Sequence, residues 1–227
     1  MARTCATKPP AGRVAAIVSG QAAAPHGPLG RLIGRIWVTE TAAVNDTALD
    51  LLDPQPHEHV LEIGFGPGRT IQRLTRRAAH VTGVDVSDTM LTAARRRNRA
   101  AIRDGRAHLL RGDGTTLPLP DHTAHAALAV HTIYFWPQPK TTLTELARVL
   151  HPGGRLVLAF RDTAQPTPRR FDPRIYHLHS AEDVTRVLHD AGFADVRLHR
   201  PPDPSHPVVW IRASTPPEAV PRTQPTD

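Results

Sequence analysis

The sequence predicts an α/β fold built on a mostly parallel, seven-stranded sheet whose last strand is antiparallel, preceded by an N-terminal helical cap. Three observations carry this expectation. From about residue 57, short apolar runs of strand character alternate with stretches whose apolar residues recur at helical spacing. The last two strand-like runs, Asp195 to Leu198 and Val208 to Ile211, are joined by a proline-rich loop instead of a helix, so they should pair as an antiparallel hairpin. A chain of 227 residues with 40% apolar content also suffices for one sizeable core.

The elements follow in order. Residues 1–25 show little periodicity and read as a flexible arm. Residues 26–56 read as the cap, with Leu29, Leu32, Ile33 and Ile36 on one helix face and Val44, Ala48, Leu51 and Leu52 on the next. Asp53-Pro54-Gln55-Pro56 stops that second helix, because proline cannot continue the hydrogen-bond ladder. The main domain spans 57–213. His59–Ile63 is its first strand, and Ile71, Leu74 and Ala78 mark the helix behind it. His80 to Val86 is the second strand, followed by a helix from about Asp88 to Arg103. Arg106 to Leu110 and Ala124 to Val130 are the third and fourth strands. Leu143, Leu146, Ala147 and Leu150 form a helical stripe, and Pro152-Gly153-Gly154 turns the chain into the fifth strand, Leu156 to Phe160. Val184, Val187, Leu188 and Ala191 make a further helical face, closed by Gly192. From 214 on, Pro216, Pro217, Pro221 and Pro225 predict a disordered tail.

Composition narrows the functional classes. No run of about 20 apolar residues is present, so a membrane span is not expected. The N-terminus lacks the pattern of a secretory signal, which points to the cytoplasm. Cys5 is the only cysteine, which excludes an internal disulfide, a cysteine-built metal site and a redox pair. The net charge of +7 is almost wholly arginine, since Lys8 and Lys140 are the only lysines. The densest run, Arg95, Arg96, Arg97 and Arg99, has no aromatic interleaved and reads as a solvated helix face, not a nucleic-acid groove. His57-x-His59, His122-x-x-His125 and His177-x-His179 are local pairs without a third ligand, so no metal is expected.

Chemistry enters after the first strand, at Glu62-Ile63-Gly64-Phe65-Gly66-Pro67-Gly68-Arg69-Thr70. Alternate glycines let the backbone turn sharply and approach a ligand, and a helix start beyond them offers free N–H groups. A phosphate loop needs Gly-Lys-Ser/Thr, and a dinucleotide loop needs Gly-x-Gly-x-x-Gly; neither spacing is met. Glu62, two residues before the first glycine, would repel a pyrophosphate and suits a ligand bearing an ammonium group. Asp85 ends the second strand where a carboxylate can accept from a ribose diol. Asp113 follows the third and can accept from an adenine amino group. Met90 is placed to cover an adenine face.

This ordered set resembles the class I S-adenosylmethionine-dependent methyltransferases. The resemblance runs through Val60 to Gly68, Val84-Asp85, Gly112-Asp113, Ile133 to Trp136 and Leu146 to Gly154. It is strongest toward the ubiquinone/menaquinone-biosynthesis-like enzymes that act on small molecules. It implies a Rossmann-like, doubly wound sheet and S-adenosylmethionine as cofactor. Glu62, Gly64, Gly66 and Gly68 would hold the methionine part, Asp85 the ribose, and Asp113 with Gly114 the adenine. Phe65, Val86 and Met90 join this cofactor set.

The end of the fourth strand, His131-Thr132-Ile133-Tyr134-Phe135-Trp136, should face the transferred methyl group. Related enzymes often carry Asn where His131 stands. A histidine there can serve as general base or can hydrogen-bond the cofactor's amino group, and Tyr134 is the other candidate catalytic residue. Trp37, Tyr134, Trp136 and Tyr176 are candidate acceptor contacts. Glu40, Asn45 and the 166–179 insertion, with Arg169, Arg170, Phe171, His177 and His179, should complete the pocket. The expected partner is a small-molecule methyl acceptor, with oxygen ahead of nitrogen or carbon, and the expected assembly is a monomer or homodimer. The alternatives are an RNA or protein methyltransferase, or a non-catalytic cofactor-binding protein. Against RNA stands the fourth-strand ending, which lacks the Pro-Pro-aromatic loop of base-amino methylation.

Overall fold

The computed structural model describes residues 12–28, 30, 32, 40–203 and 205–218. Strands covered on both faces need apolar residues at nearly every position, and the sequence supplies them in the middle of the sheet. β1 (His59–Ile63) and β2 (His80–Asp85) are buried at every position after the first. β3 (Ala107–Arg111), β4 (Ala124–Val130) and β5 (Leu150–Arg161) complete the parallel part. β6 (Ala194–His199) and β7 (Val208–Ser214) form the expected hairpin, and β7 runs antiparallel to both β5 and β6. The order is β3-β2-β1-β4-β5-β7-β6. β6, at the edge, is half exposed and alternates in burial, as a strand with one wet face must.

Helices cover both faces. α1 (Arg13–Ala23) and α2 (Ala42–Leu52) precede the sheet, and α3 (Arg69–Leu74) follows β1. α4 (Asp88–Arg97) and the short α5 (Arg99–Arg103) follow β2. α6 (Pro139–Val149) leads into β5, and α7 (Ala181–Asp190) into β6. Neighbouring strand residues serve opposite cores. Leu61 and Ile63 pack with Leu143, Leu146, Val184 and Leu188 on one side, and Val60 packs with Leu49, Leu52, Ile71 and Leu74 on the other. The strand order reverses between β1 and β4, which opens a crevice at their carboxyl ends. Among the described residues, no helix is long and apolar enough to cross a membrane.

Several expectations are corrected. The segment read as a flexible arm contains α1, and long-range bonds that periodicity cannot reveal hold it. Ser19 Oγ donates to the Arg170 carbonyl and accepts the Asp172 N–H. The helix expected over 88–103 breaks at Asn98, whose side-chain amide donates to the carbonyls of Ala94 and Gly68. The turn expected at Pro152-Gly153-Gly154 is absorbed into β5, with a register shift opposite Ala124/Ala126. The start of the tail is tied down: Thr215 N–H donates to Gly154 O, and Gly153 N–H to Pro216 O. The predicted face of Leu29, Ile33 and Ile36 lies outside the described residues, as do 219–227.

Candidate active site

A cavity of about 640 Å³ opens at the carboxyl ends of β1, β2 and β4. Its first wall is built by local turns. Gly64 sits at φ +75°, and a Cβ there would stand 2.1 Å from Thr132 Cγ2, so only glycine lets the β1 loop pass the end of β4. Its N–H donates to Val84 O at 2.7 Å. The Gly66 N–H donates to Asp85 Oδ2 at 2.8 Å, and the Ser87 N–H to Oδ1 at 2.9 Å. These bonds fix the carboxylate and leave it further acceptor capacity for a ligand. Burial nonetheless pushes the Asp85 pKa up to about 6, against the pull of both N–H groups.

Glu62 is 3% exposed and lines the cavity, and its Oε2 is buried with no hydrogen-bond partner. Burial first, and Asp85 second, push its pKa up to about 8. An unpaired buried carboxyl oxygen is costly unless a ligand satisfies it. The ammonium of an amino-acid moiety would do so, so the residues present fit an S-adenosylmethionine-like group. Asp113, after β3, lines the same wall. Its Oδ1 accepts from the Thr115 hydroxyl at 2.7 Å and the Thr115 N–H at 2.9 Å, and these bonds hold its pKa below the usual range. Phe65, Gly66, Val86 and Met90 also line the cavity.

Gly68 and Gly114 do not reach the cavity wall, and both glycines have packing reasons. A Cβ on Gly68 (φ +75°) would lie 2.7 Å from Ala94 Cβ, where α3 starts against α4. A Cβ on Gly114 would press on Ile63 and Thr142.

The second wall is assembled from distant segments. His131 has φ +58°, and its Nδ1 lies 3.0 Å from the Tyr134 hydroxyl. That hydroxyl oxygen also accepts the Arg161 backbone N–H. A tyrosine proton placed on His131 Nδ1 would leave the imidazole proton on Nε2. Burial, with Arg161 and His206 adding, pushes the His131 pKa down to about 4, so the ring is neutral at pH 7. Burial likewise pushes the Tyr134 hydroxyl above its ordinary range.

Tyr134 and Tyr176 both line this wall, and Phe171 stacks on Tyr176 with centroids 4.3 Å apart. Trp136 touches the cavity but is 4% exposed and belongs mainly to the core beside α6. Trp37 lies outside the described residues. Glu40, Asn45 and Arg170 reach the cavity, whereas Arg169, His177 and His179 do not. The His177 N–H instead ties the insertion to Tyr134 O.

Cavity residues that the sequence did not flag include Val18 and Ala22 of α1, Pro25, Arg161 and His206. Arg161 closes β5 at its carboxyl end, and that position alone could have flagged it.

Together, fold and site define an α/β protein with an acid-lined crevice at the switch point of its sheet. A methyltransferase-domain family model matches residues 61–158. An O-methyltransferase of Aspergillus nomiae is 30% identical over 144 residues, 60% of this chain and 64% of its own length. The ubiquinone/menaquinone biosynthesis C-methyltransferase UbiE of Roseobacter denitrificans is 31% identical over 162 residues, 68% of this chain and 59% of its own. This chain thus spans about three fifths of the length of such curated relatives. Among solved structures, a methyltransferase in complex with the Trm112 activator of Haloferax volcanii shares the fold at a TM-score of 0.70. It is 19% identical and covers 88% of this chain and 97% of its own. Residues 61–158 thus carry a methyltransferase domain of the S-adenosylmethionine-dependent kind, with S-adenosylmethionine as cofactor.

Proposed function

We propose that this chain transfers a methyl group from S-adenosylmethionine to a small-molecule acceptor, with oxygen favoured over nitrogen or carbon. The observation that carries this reading is the unpaired, buried Glu62 carboxyl oxygen in the wall shared with Asp85 and Asp113. When bound, the cofactor supplies an activated methyl carbon on a sulfonium centre. Glu62 would take its ammonium group, Asp85 the ribose diol and Asp113 the adenine amino group, with Met90 against the adenine face. The protein's task is then to orient the acceptor and exclude water.

His131 acts in this reading as a neutral donor through Nε2–H. With Nδ1 accepting the Tyr134 proton, the base role would pass to no other atom of the ring, and His131 orients the acceptor instead. Tyr134 is a positioning residue, because its hydroxyl is spent on His131 and on Arg161 N–H. Arg161 and Arg170 in the acceptor wall disfavour a protonated amine, which supports oxygen over nitrogen. The deciding experiment incubates the protein with S-adenosylmethionine and a panel of phenols, quinols, amines and carboxylic acids. Mass spectrometry should find one methyl group gained on an oxygen acceptor. No methyl gain on any member, with intact nucleoside binding, would favour a non-catalytic binding protein.

A further inference from the structure

We propose that the acceptor wall recognises an aromatic acid, its ring held by Phe171 and Tyr176 and its anionic oxygen group paired with Arg161 and Arg170. This rests on the methyl-transfer reading and names the acceptor's chemical class.

Charge placement is the first argument. The acids lining the cavity at strand ends, Glu62, Asp85 and Asp113, all belong to the β1–β3 side. The β4 and β5 ends and the insertion contribute His131, Arg161 and Arg170 but no acid. The one further lining acid, Glu40, is exposed and comes from the cap, and one further cation, Arg69, sits beside the glycine loop.

The second argument is unmet pairing. Arg148, Arg155 and Arg200 each meet a carboxylate within 2.9 Å. Among the described residues, neither Arg161 nor Arg170 has a carboxylate partner. Arg161 donates from Nη2 to Pro166 O, while its Nε is buried with no acceptor. A buried donor without a partner carries the desolvation cost of that group. Both guanidinium carbons lie over the same ring, 5.9 Å and 5.6 Å from the Phe171 centroid. Burial first, and repulsion from Arg170 after it, push the Arg161 pKa down. One anion relieves the unpaired donor and the like-charge repulsion together, whereas a neutral acceptor leaves the repulsion in place.

The third argument is shape. Phe171 and Tyr176 are stacked 9° from parallel, and Phe135 lies 4.9 Å from Tyr176. Such a cluster presents flat apolar faces to a planar ring, and the cations beside it add affinity for the charged substituent.

The test uses 2-naphthoate and its neutral isostere 2-naphthamide, titrated calorimetrically into the protein saturated with S-adenosylhomocysteine. The carboxylate should bind at least about tenfold more tightly than the amide. Arg161→Gln and Arg170→Gln should each weaken the carboxylate about tenfold and leave the amide unchanged. Arg170 is exposed and in a loop, so its variant carries the test if Arg161→Gln fails to fold. Equal affinity of acid and amide, undetectable binding of the acid, or a preference that survives in the double variant would overturn the proposal. Wild-type affinity for S-adenosylhomocysteine is measured first. Its absence would count against the methyl-transfer reading instead, and the acid–amide comparison would then be run without nucleoside.

Discussion

The two walls of the cavity are built in opposite ways. The nucleoside wall draws each key residue from the end of a strand or the turn directly after it: Glu62 and Gly66 at β1, Asp85 at β2, Asp113 at β3. The acceptor wall unites α1, His131 and Tyr134, Arg161, Phe171, Tyr176 and His206, which only the folded chain brings together. A wall made of local turns imposes glycines and acids at fixed spacing. A wall made by assembly imposes no spacing at all, so it is free to vary with the acceptor.

The largest effect should come from removing the central acid of the nucleoside wall. Asp85→Ala deletes the ribose acceptor and the anchor for the Gly66 and Ser87 N–H groups. S-adenosylhomocysteine should bind roughly 10- to 100-fold more weakly, about 1.5–3 kcal/mol, by calorimetry. Naphthoate affinity should fall much less, and an equal fall would show that the walls are not separable.

Next comes pH. Because burial raises the Glu62 pKa to about 8, the free protein holds this carboxyl protonated at pH 7. Pairing with an ammonium group requires its charge, so binding releases a proton. Nucleoside affinity should therefore rise from pH 6 toward pH 8, by up to about tenfold per unit, and then level off. The sign for the free protein is the reverse: a raised carboxyl pKa favours the folded state at low pH, and that contribution fades as pH climbs through about 8. Calorimetry in two buffers of different ionisation heat would register the released proton. A flat profile, or one unchanged in Glu62→Gln, would remove the ammonium role.

Gly68→Ala probes packing without touching the cavity wall. A Cβ 2.7 Å from Ala94 Cβ, on a backbone at φ +75°, should cost roughly 1–3 kcal/mol. In a chain of this size that lowers the melting temperature by about 2–4 °C per kcal/mol. An unchanged melting temperature would mean that the α3–α4 approach yields easily.

The smallest effect belongs to Tyr134→Phe. It removes two neutral hydrogen bonds, to His131 and from the Arg161 N–H, each worth about 0.5–1.5 kcal/mol. Turnover of the acceptor should fall about two- to tenfold as Nδ1 and Nε2 compete for the proton, with nucleoside affinity unaltered. Loss of nucleoside affinity would instead place His131 on the cofactor.

Much of the fold was legible beforehand. The strands were found because a sheet buried on both faces demands unbroken apolar runs, as β1, β2 and β4 show. The hairpin of β6 and β7 was found because a proline-rich loop, not a helix, joins Leu198 to Val208. α1 was not, since Ser19, Ser87 and Asp172 hold it through bonds that leave no periodic trace. Asn98 looked like one more helical residue until its amide was seen to cap α4 and reach Gly68. Within the site, Gly68 and Gly114 also have packing reasons that the sequence did not reveal, against Ala94 and against Ile63 with Thr142.

The amino-acid order alone determined the nucleoside wall, because a backbone that turns at φ +75° and an acid that ends a strand must be written into adjacent residues. Folding alone decided the rest: that the Tyr134 hydroxyl meets His131 Nδ1, and that Arg161 and Arg170 meet over one ring. Those depend on side chains far apart in the chain, whose separation no local preference records.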